Sequence, residues 1–372
     1  SGSDIIDVEI KADSKSNVIL GIASSSNGFN LNVPLSLDSG ANLFIVSPKG
    51  ISLASGALFT NVIDLTLTNL SSLPIGQSQF SVDSSLSEAQ LLTGAPALNR
   101  QVNTLSNTAA PITIGGLTLS IDGSLYVHAN SNLTLSSTSI PVPTSIDVGG
   151  DLMLSDATID NTSSLSLYSV GKLDIYDSSL SNHSFVEIDS GGILTISQAS
   201  NLADTGVVIN NNTTVEIDAT SDFNVVNATI DNNDSVTITA GGSFSADSIS
   251  ELSGSGVSLN RNESLSITAS QDFSFKRSSL NDNSDLALKS VGDLIFDGSS
   301  INDNSTINIV SGGGFTFLGS DLIGNLPYTS AQYVSDFDTV EALPHFDIQV
   351  AGLIDIDDSD IDKNGFFYLT SL

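Results

Sequence analysis

The stretch from Gly149 to Ser190 is the same phrase written twice: GGDLMLSDATIDNTSSLSLYS, then VGKLDIYDSSLSNHSFVEIDS, at a step of 21 residues. In the first copy Leu152 and Leu154 lie two apart, Ile159 follows, Asp160-Asn161 makes a bend, and Leu165 and Leu167 again lie two apart. In the second, Leu173, Ile175, Leu180, Ser181-Asn182, Val186 and Ile188 take those places. A unit this short cannot bury its own apolar edge. It must stack on a copy of itself, so a fixed period of this length constrains the fold to a solenoid.

The phase extends to the end of the chain. The leading apolar anchor recurs at Leu152, Leu173, Leu194, Phe223, Phe244, Phe273, Leu294, Phe315 and Ile354, in steps of 21, 21, 29, 21, 29, 21, 21 and 39 residues. The long steps are insertions into an otherwise constant coil. A second pair follows thirteen and fifteen residues after the anchors of unexpanded coils, as at Val236 and Ile238, Leu286 and Leu288, or Ile307 and Ile309. Insertions displace that pair without deleting it (Val215 and Ile217, Leu265 and Ile267, Phe346 and Ile348). Two-fold alternation turns one face of each strand inward and the other to water. A third apolar contact falls near position seven (Ile159, Leu180, Ile230, Leu280, Ile301, Ile361), and Asn, Asp, Ser and Gly fill the bends. Coils of this kind stack about 4.8 Å apart with parallel pairing. The expected fold is all-β, a parallel β-helix, right-handed by the rule for parallel crossovers.

Composition narrows the partners. The chain has 372 residues with 42 Asp plus Glu against 10 Lys plus Arg, a net charge of −32, which leaves no basic groove for nucleic acid. There is no cysteine, so disulfides and thiolate metal sites are excluded. No apolar run reaches the length of a membrane-spanning helix, about 18 residues. The opening SGSDIIDVEI has no signal-peptide pattern and reads as a processed or trimmed start.

Residues 1–111 form a first region and 112–372 the regular coils. Short alternating bursts up to residue 40 (Ile6, Val8, Ile10; Val18, Leu20; Leu31 to Leu37) read as strands that include a cap. GANLFIVSPKGISLASGALFTNVIDLTLTNL, residues 40 to 70, follows. Asn42, Phe44, Ile45, Pro48, Gly50, Ile51, Gly56, Ala57 and the strand Leu65-Thr66-Leu67 resemble the secretion domain of the filamentous-haemagglutinin family, the exoproteins of two-partner secretion. Ser47 stands where that family has Asn, and an earlier Asn-Pro turn of its pattern is missing. The resemblance covers about residues 18 to 135 and implies export through an outer-membrane transporter of a Gram-negative-type bacterium, with folding outside the cell. The residues themselves carry a structural reading: Pro48 sets one dihedral of a turn and Gly50 supplies a positive φ.

Two stretches interrupt the pattern. Residues 83 to 111 have the most helix-compatible composition, with Ser85 and Glu88 spaced as a capping box, and predict an excursion with a turn of helix. The insertion at 318–346 gathers Tyr328, Tyr333, Phe337, His345 and Phe346 in a chain poor in aromatics. A long loop on a rigid scaffold is a place for recognition, so Tyr328, Tyr333, Phe337 and His345 are candidate binding residues; the plainer reading has them pin the loop to the flank.

For chemistry, Asp272 and Asp293 occupy equivalent places on adjacent coils, as do Asp282 and Asp303, and each pair could share one Ca2+. No other cofactor is indicated. Lys172, Arg261, Lys276, Arg277, Lys289 and Lys363 do not repeat beside these acids, and His128, His183 and His345 are isolated, so the pattern is not that of an enzyme. Asn161, Asn182, Asn211, Asn232, Asn283, Asn304 and Asn364 fall near one corner and predict an amide ladder. The Asn-x-Ser/Thr sites at Asn132, Asn161, Asn182, Asn262 and Asn304 follow from the repeat and call for no glycosylation.

Two functional classes fit best. One is a secreted or surface-attached adhesin, a stiff rod that presents recognition loops to glycans or a neighbouring cell. The other is an architectural subunit that pairs end to end with itself into an extracellular filament, for which the last strand, GFFYLTSL, offers an uncapped edge. A polysaccharide-acting β-helix enzyme is a lesser third.

Overall fold

The computed structural model describes residues 8–12, 16–22, 28–75, 78–82, 90–92, 110–198, 206–248, 256–324, 345–362 and 366–371. The chain folds as two compact units, Ser1–Gly192 and Ile193–Leu372. All described regular structure is β, and each unit is a parallel β-helix.

One coil shows how the repeat becomes structure. Leu152–Ser155 lies in one sheet (sheet II), Thr158–Asp160 in a second (sheet III) and Ser164–Ser169 in a third (sheet I), after which the chain turns back into sheet II at Leu173–Tyr176. Leu152 pairs with Leu173 and Leu154 with Ile175, so equivalent apolar residues sit directly above one another. Ile159 pairs with Leu180, and Leu165 and Leu167 with Val186 and Ile188. All ten side chains named in these pairings are buried.

In the first unit the region before residue 111 is built into the same sheets: Ile51 pairs with Ile112 and Leu53 with Ile114, while Leu65 and Leu67 pair with Leu125 and Val127. The predicted helical turn between 83 and 111 does not occur where that stretch is described. Gln90–Leu92 is a strand, antiparallel to Asn17–Gly21. An edge strand's open backbone groups accept a neighbouring segment whatever its helix propensity, and that pairing outweighs the local preference. The rest of the stretch, 83–89 and 93–109, lies outside the described residues.

The second unit repeats the plan. Leu194 pairs with Phe223, Phe223 with Phe244, Phe244 with Phe273, Phe273 with Leu294, Leu294 with Phe315 and Phe315 with Ile354. The anchors therefore form one column. Where they are aromatic they form a stack, with ring centroids 5.5 Å apart for Phe223 and Phe244 and 4.9 Å for Phe244 and Phe273. Phe275, Phe296, Phe315 and Phe317 extend the contact network. Both 29-residue steps place their extra residues between the sheet II and sheet III segments, and the 39-residue step places its own between Asp321–Ile323 and His345–Val350. On the last described coil Ile356 and Ile361 hold core positions, paired with Phe317 and Leu322, yet remain 39 % and 40 % exposed.

The corners explain the polar half of the repeat. Asn161 and Asn182 in the first unit, and Asn211, Asn232, Arg261, Asp282 and Asp303 in the second, all have φ between 54° and 62°. Asn and Asp tolerate this left-handed region better than other side chains. A separate column lies one residue further on. Asn212, Asn233, Asn262, Asn283 and Asn304 are all buried, and both the main-chain N–H and the Nδ2 of each of the first four donate to the Oδ1 of the next, at 2.9–3.2 Å. The expected ladder is present, but the seven asparagines taken as one corner divide between these columns: Asn283 and Asn304 belong to the buried one. Asn364 lies outside the described residues. A repeat read from apolar spacing fixes the phase of strands, whereas a one-residue slip between adjacent Asn columns leaves that spacing unchanged.

Candidate functional site

Side chains alternate in and out along each strand, so two columns of sheet I in the first unit face outward. Tyr126 pairs with Ser145, Ser145 with Ser166 and Ser166 with Glu187; beside them run His128, Asp147, Tyr168 and Asp189. Phe185 points outward two residues before Glu187, opposite Ser164. The inward partners of these residues, Leu125, Val127, Ile146, Leu165, Leu167, Val186 and Ile188, are core, and they hold the strands in one register. Sequence periodicity locates the face but does not reveal what it assembles. The aromatic and acidic residues come from four strands separated by 19 to 21 positions and form no linear motif.

This face combines aromatic rings with carboxylates and hydroxyls. Tyr126 is 40 % exposed, and Tyr168, Phe185, Glu187 and Asp189 are half-buried. The Ser166 hydroxyl donates to Glu187 Oε2 at 2.8 Å. His128 and Asp147, though outward-pointing, are only 7 % and 9 % exposed, with Nδ1 and Oδ2 3.4 Å apart. His128 was expected to be isolated; the parallel register brings it beside Asp147, nineteen residues away. No Lys or Arg lies in either column.

The other sequence-predicted residues do different work. Asn42 accepts the Asp64 N–H on Oδ1 at 3.3 Å and donates from Nδ2 to Asn17 at 2.9 Å. Phe44 packs on the outside of sheet I with Ile19 and Val46, under Leu70 and Val82. The turn at Pro48 closes with the Gly50 N–H donating to the Ser47 carbonyl at 3.0 Å. Gly50 has φ +95°, and a Cβ there would run into the Pro111 carbonyl oxygen. Ile51 enters the core. Each of these residues serves the turn from sheet I to sheet II or the packing on either side of it. Ser47 is fully buried, and its hydroxyl is without a hydrogen-bond partner among the described residues.

Asp272 Oδ1 accepts the Asp293 N–H at 2.9 Å, and Asp293 Oδ1 accepts the Gly314 N–H at 2.7 Å. Asp151 and Asp222 do the same for Lys172 and Ser243. These carboxylates cap main-chain donors on the coil above. Asp282 and Asp303 occupy left-handed corner positions. No group of three or more His, Asp or Glu able to hold a metal occurs among the described residues. Tyr328, Tyr333 and Phe337 lie outside the described residues; His345 begins the strand His345–Val350. A small cavity in the second unit is lined by apolar side chains alone, among them Ile301, Phe315, Phe317, Leu322 and Ile361, so it offers no polar group to orient a ligand.

One histidine has an evident structural role. His183 is 2 % exposed and stands where the second unit has Asn in its buried ladder. Its Nδ1 meets the Thr162 hydroxyl and its Nε2 the Ile159 carbonyl, both at 2.7 Å. The carbonyl can only accept, so Nε2 donates to it, while the Thr162 hydroxyl that meets Nδ1 also lies 3.2 Å from the Ser164 carbonyl. Burial pushes the imidazole below its ordinary pKa, against smaller opposing effects from the main chains of Ile159 and Thr162 and from Asp160.

Comparison with known protein families, curated proteins and solved structures found no match.

Proposed function

We propose that this chain is a non-catalytic attachment scaffold, secreted or held at the surface of a Gram-negative-type bacterium, that presents a regular outer face to glycans or to a neighbouring cell. The observation that carries this reading is the outward side of sheet I in the first unit. There Tyr126, Tyr168 and Phe185 stand among Ser and carboxylate side chains on strands locked in register. Aromatic groups exposed on a rigid support lose little entropy on binding, which suits recognition. The resemblance at Asn42, Phe44, Pro48, Gly50 and Ile51 supports export through an outer-membrane two-partner transporter. The acidic chain, at −32, supports a molecule that repels its own copies and polyanions alike.

Attachment is tested with the full chain immobilised on beads and offered to bacterial and epithelial cells. Saturable retention, competed by free chain, is the expected result. Absence of retention, or release of reducing ends or unsaturated products from a polysaccharide panel, overturns the reading.

A second reading, end-to-end assembly into an extracellular filament, is favoured by Ile356 and Ile361, core-phase residues that stay half-exposed. A light-scattering concentration series separates the two: reversible growth with concentration supports the filament, and a constant mass supports the attachment scaffold.

A further inference from the structure

We infer that the outward face of sheet I in the first unit binds an uncharged oligosaccharide, a chain of neutral hexoses or N-acylated hexosamines, with Tyr126 and Tyr168 as the two ring platforms. This rests on the attachment reading and assigns it a place and a ligand class. Tyr126 and Tyr168 lie two rungs apart and on neighbouring outward columns. With rungs about 4.8 Å apart and outward residues about 6.7 Å apart along a strand, their Cα atoms are about 12 Å from each other. That separation spans two to three sugar units of an extended oligosaccharide. Ser145 and Ser166 lie between them, hydroxyls suited to hydrogen-bonding sugar hydroxyls at the rims of the rings.

Charge selects the class. Asp147, Glu187 and Asp189 line the same columns, and no Lys or Arg does. A uronate or sulfated glycan would meet like charge, whereas a neutral sugar supplies hydroxyl donors to carboxylate acceptors. Glu187 is already oriented by the Ser166 hydroxyl at 2.8 Å, while Asp147, buried beside His128, adds negative charge beneath the face. The Glu187 acceptor is thus fixed before a ligand arrives, which lowers the ordering cost of binding.

The full chain is titrated by calorimetry with neutral gluco-, manno- and N-acetylhexosamine oligomers and with polygalacturonate and heparin fragments. Wild type is expected to bind at least one neutral series with little dependence on NaCl and neither acidic one. Tyr126→Ala and Tyr168→Ala should each weaken that binding about tenfold or more. Glu187→Gln should weaken it less, and Tyr176→Ala, on sheet II, should leave it unchanged. Melting curves establish that each variant is folded; Tyr126→Phe and Tyr168→Phe, which keep the ring, cover the case in which an alanine variant is not, and should retain most of the affinity.

The inference is overturned if no neutral oligomer binds at millimolar concentration, if only acidic fragments bind, or if the folded double alanine variant binds as wild type does. Bead attachment to cells is measured on the same double variant. Retention there with no loss removes this site and leaves the attachment reading standing, whereas failure of the wild-type beads removes both.

Discussion

His183 shows what one substitution in a repeat can introduce. It takes the Asn position in the buried column and meets Thr162 and Ile159 through its two ring nitrogens, in surroundings whose burial disfavours the charged ring. With the folded pKa below the ordinary value of 6.5, the unfolded chain binds a proton between those two values that the native state does not. The stabilisation is fully present above pH 6.5 and is lost as pH falls from there towards the folded pKa. His183→Asn should remove this component, so the difference in melting temperature between variant and wild type is expected to shift in the variant's favour from pH 7.5 to pH 5. A pH-independent difference would contradict the assignment. Ser47 is the opposite case, a buried hydroxyl with no partner among the described residues. Replacing a buried group that forms no hydrogen bond spares its desolvation cost, so Ser47→Ala should be neutral or stabilise by up to about 1 kcal/mol in urea unfolding. A loss of more than that would mean the hydroxyl is bonded in solution.

At the level of elements, the stack is held by three kinds of column: apolar side chains inside, main-chain ladders through the strands, and side-chain ladders at the corners. The Asn212–Asn304 column is the most demanding, because each inner amide both accepts from one neighbour and donates to the next. Asn262→Ala leaves the Asn233 donors and the Ile230 carbonyl without their partners, a loss of about 2–4 kcal/mol. Asn232→Ala, in the exposed left-handed column, removes no buried bond and should cost about 1 kcal/mol or less. Chemical denaturation of the pair checks this; equal losses would mean that backbone conformation matters more than the ladder. The same burial bears on glycosylation: the Asn262 and Asn304 amides are enclosed and bonded within the ladder, despite their Asn-x-Ser/Thr context.

For the molecule as a whole, two energies oppose each other. The apolar column, with its Phe stack in the second unit, favours the fold, and a net charge of −32 works against it. Phe296, fully buried and in ring contact with Phe273, Phe275, Phe315 and Phe317, is the most connected aromatic of the stack, and Phe296→Ala should cost about 3–5 kcal/mol. Raising ionic strength from about 0.01 M to 0.15 M shortens the Debye length from about 30 Å to 8 Å and relieves repulsion between coils. The melting temperature should therefore climb with NaCl over that range. A flat or falling response would show that the carboxylates are already compensated, for which bound Ca2+ at the stacked Asp pairs would be one source, and melting with and without a chelator would reveal it.

The amino-acid sequence alone determined the solenoid, its period and the phase of its core: Leu152 over Leu173 and Phe223 over Phe244 follow from spacing, because burial on a pleated strand is a local, periodic property. It also located the turn at Pro48-Gly50, where backbone conformation is written in residue type. Which polar residues meet was decided only by tertiary structure. Stacking in register sets His128 beside Asp147, separates two Asn columns that look like one, and gathers Tyr126, Tyr168 and Glu187 on a single face. Outward positions carry no burial constraint that would make their pattern periodic, so their company is fixed by register between strands and not by any spacing along the chain.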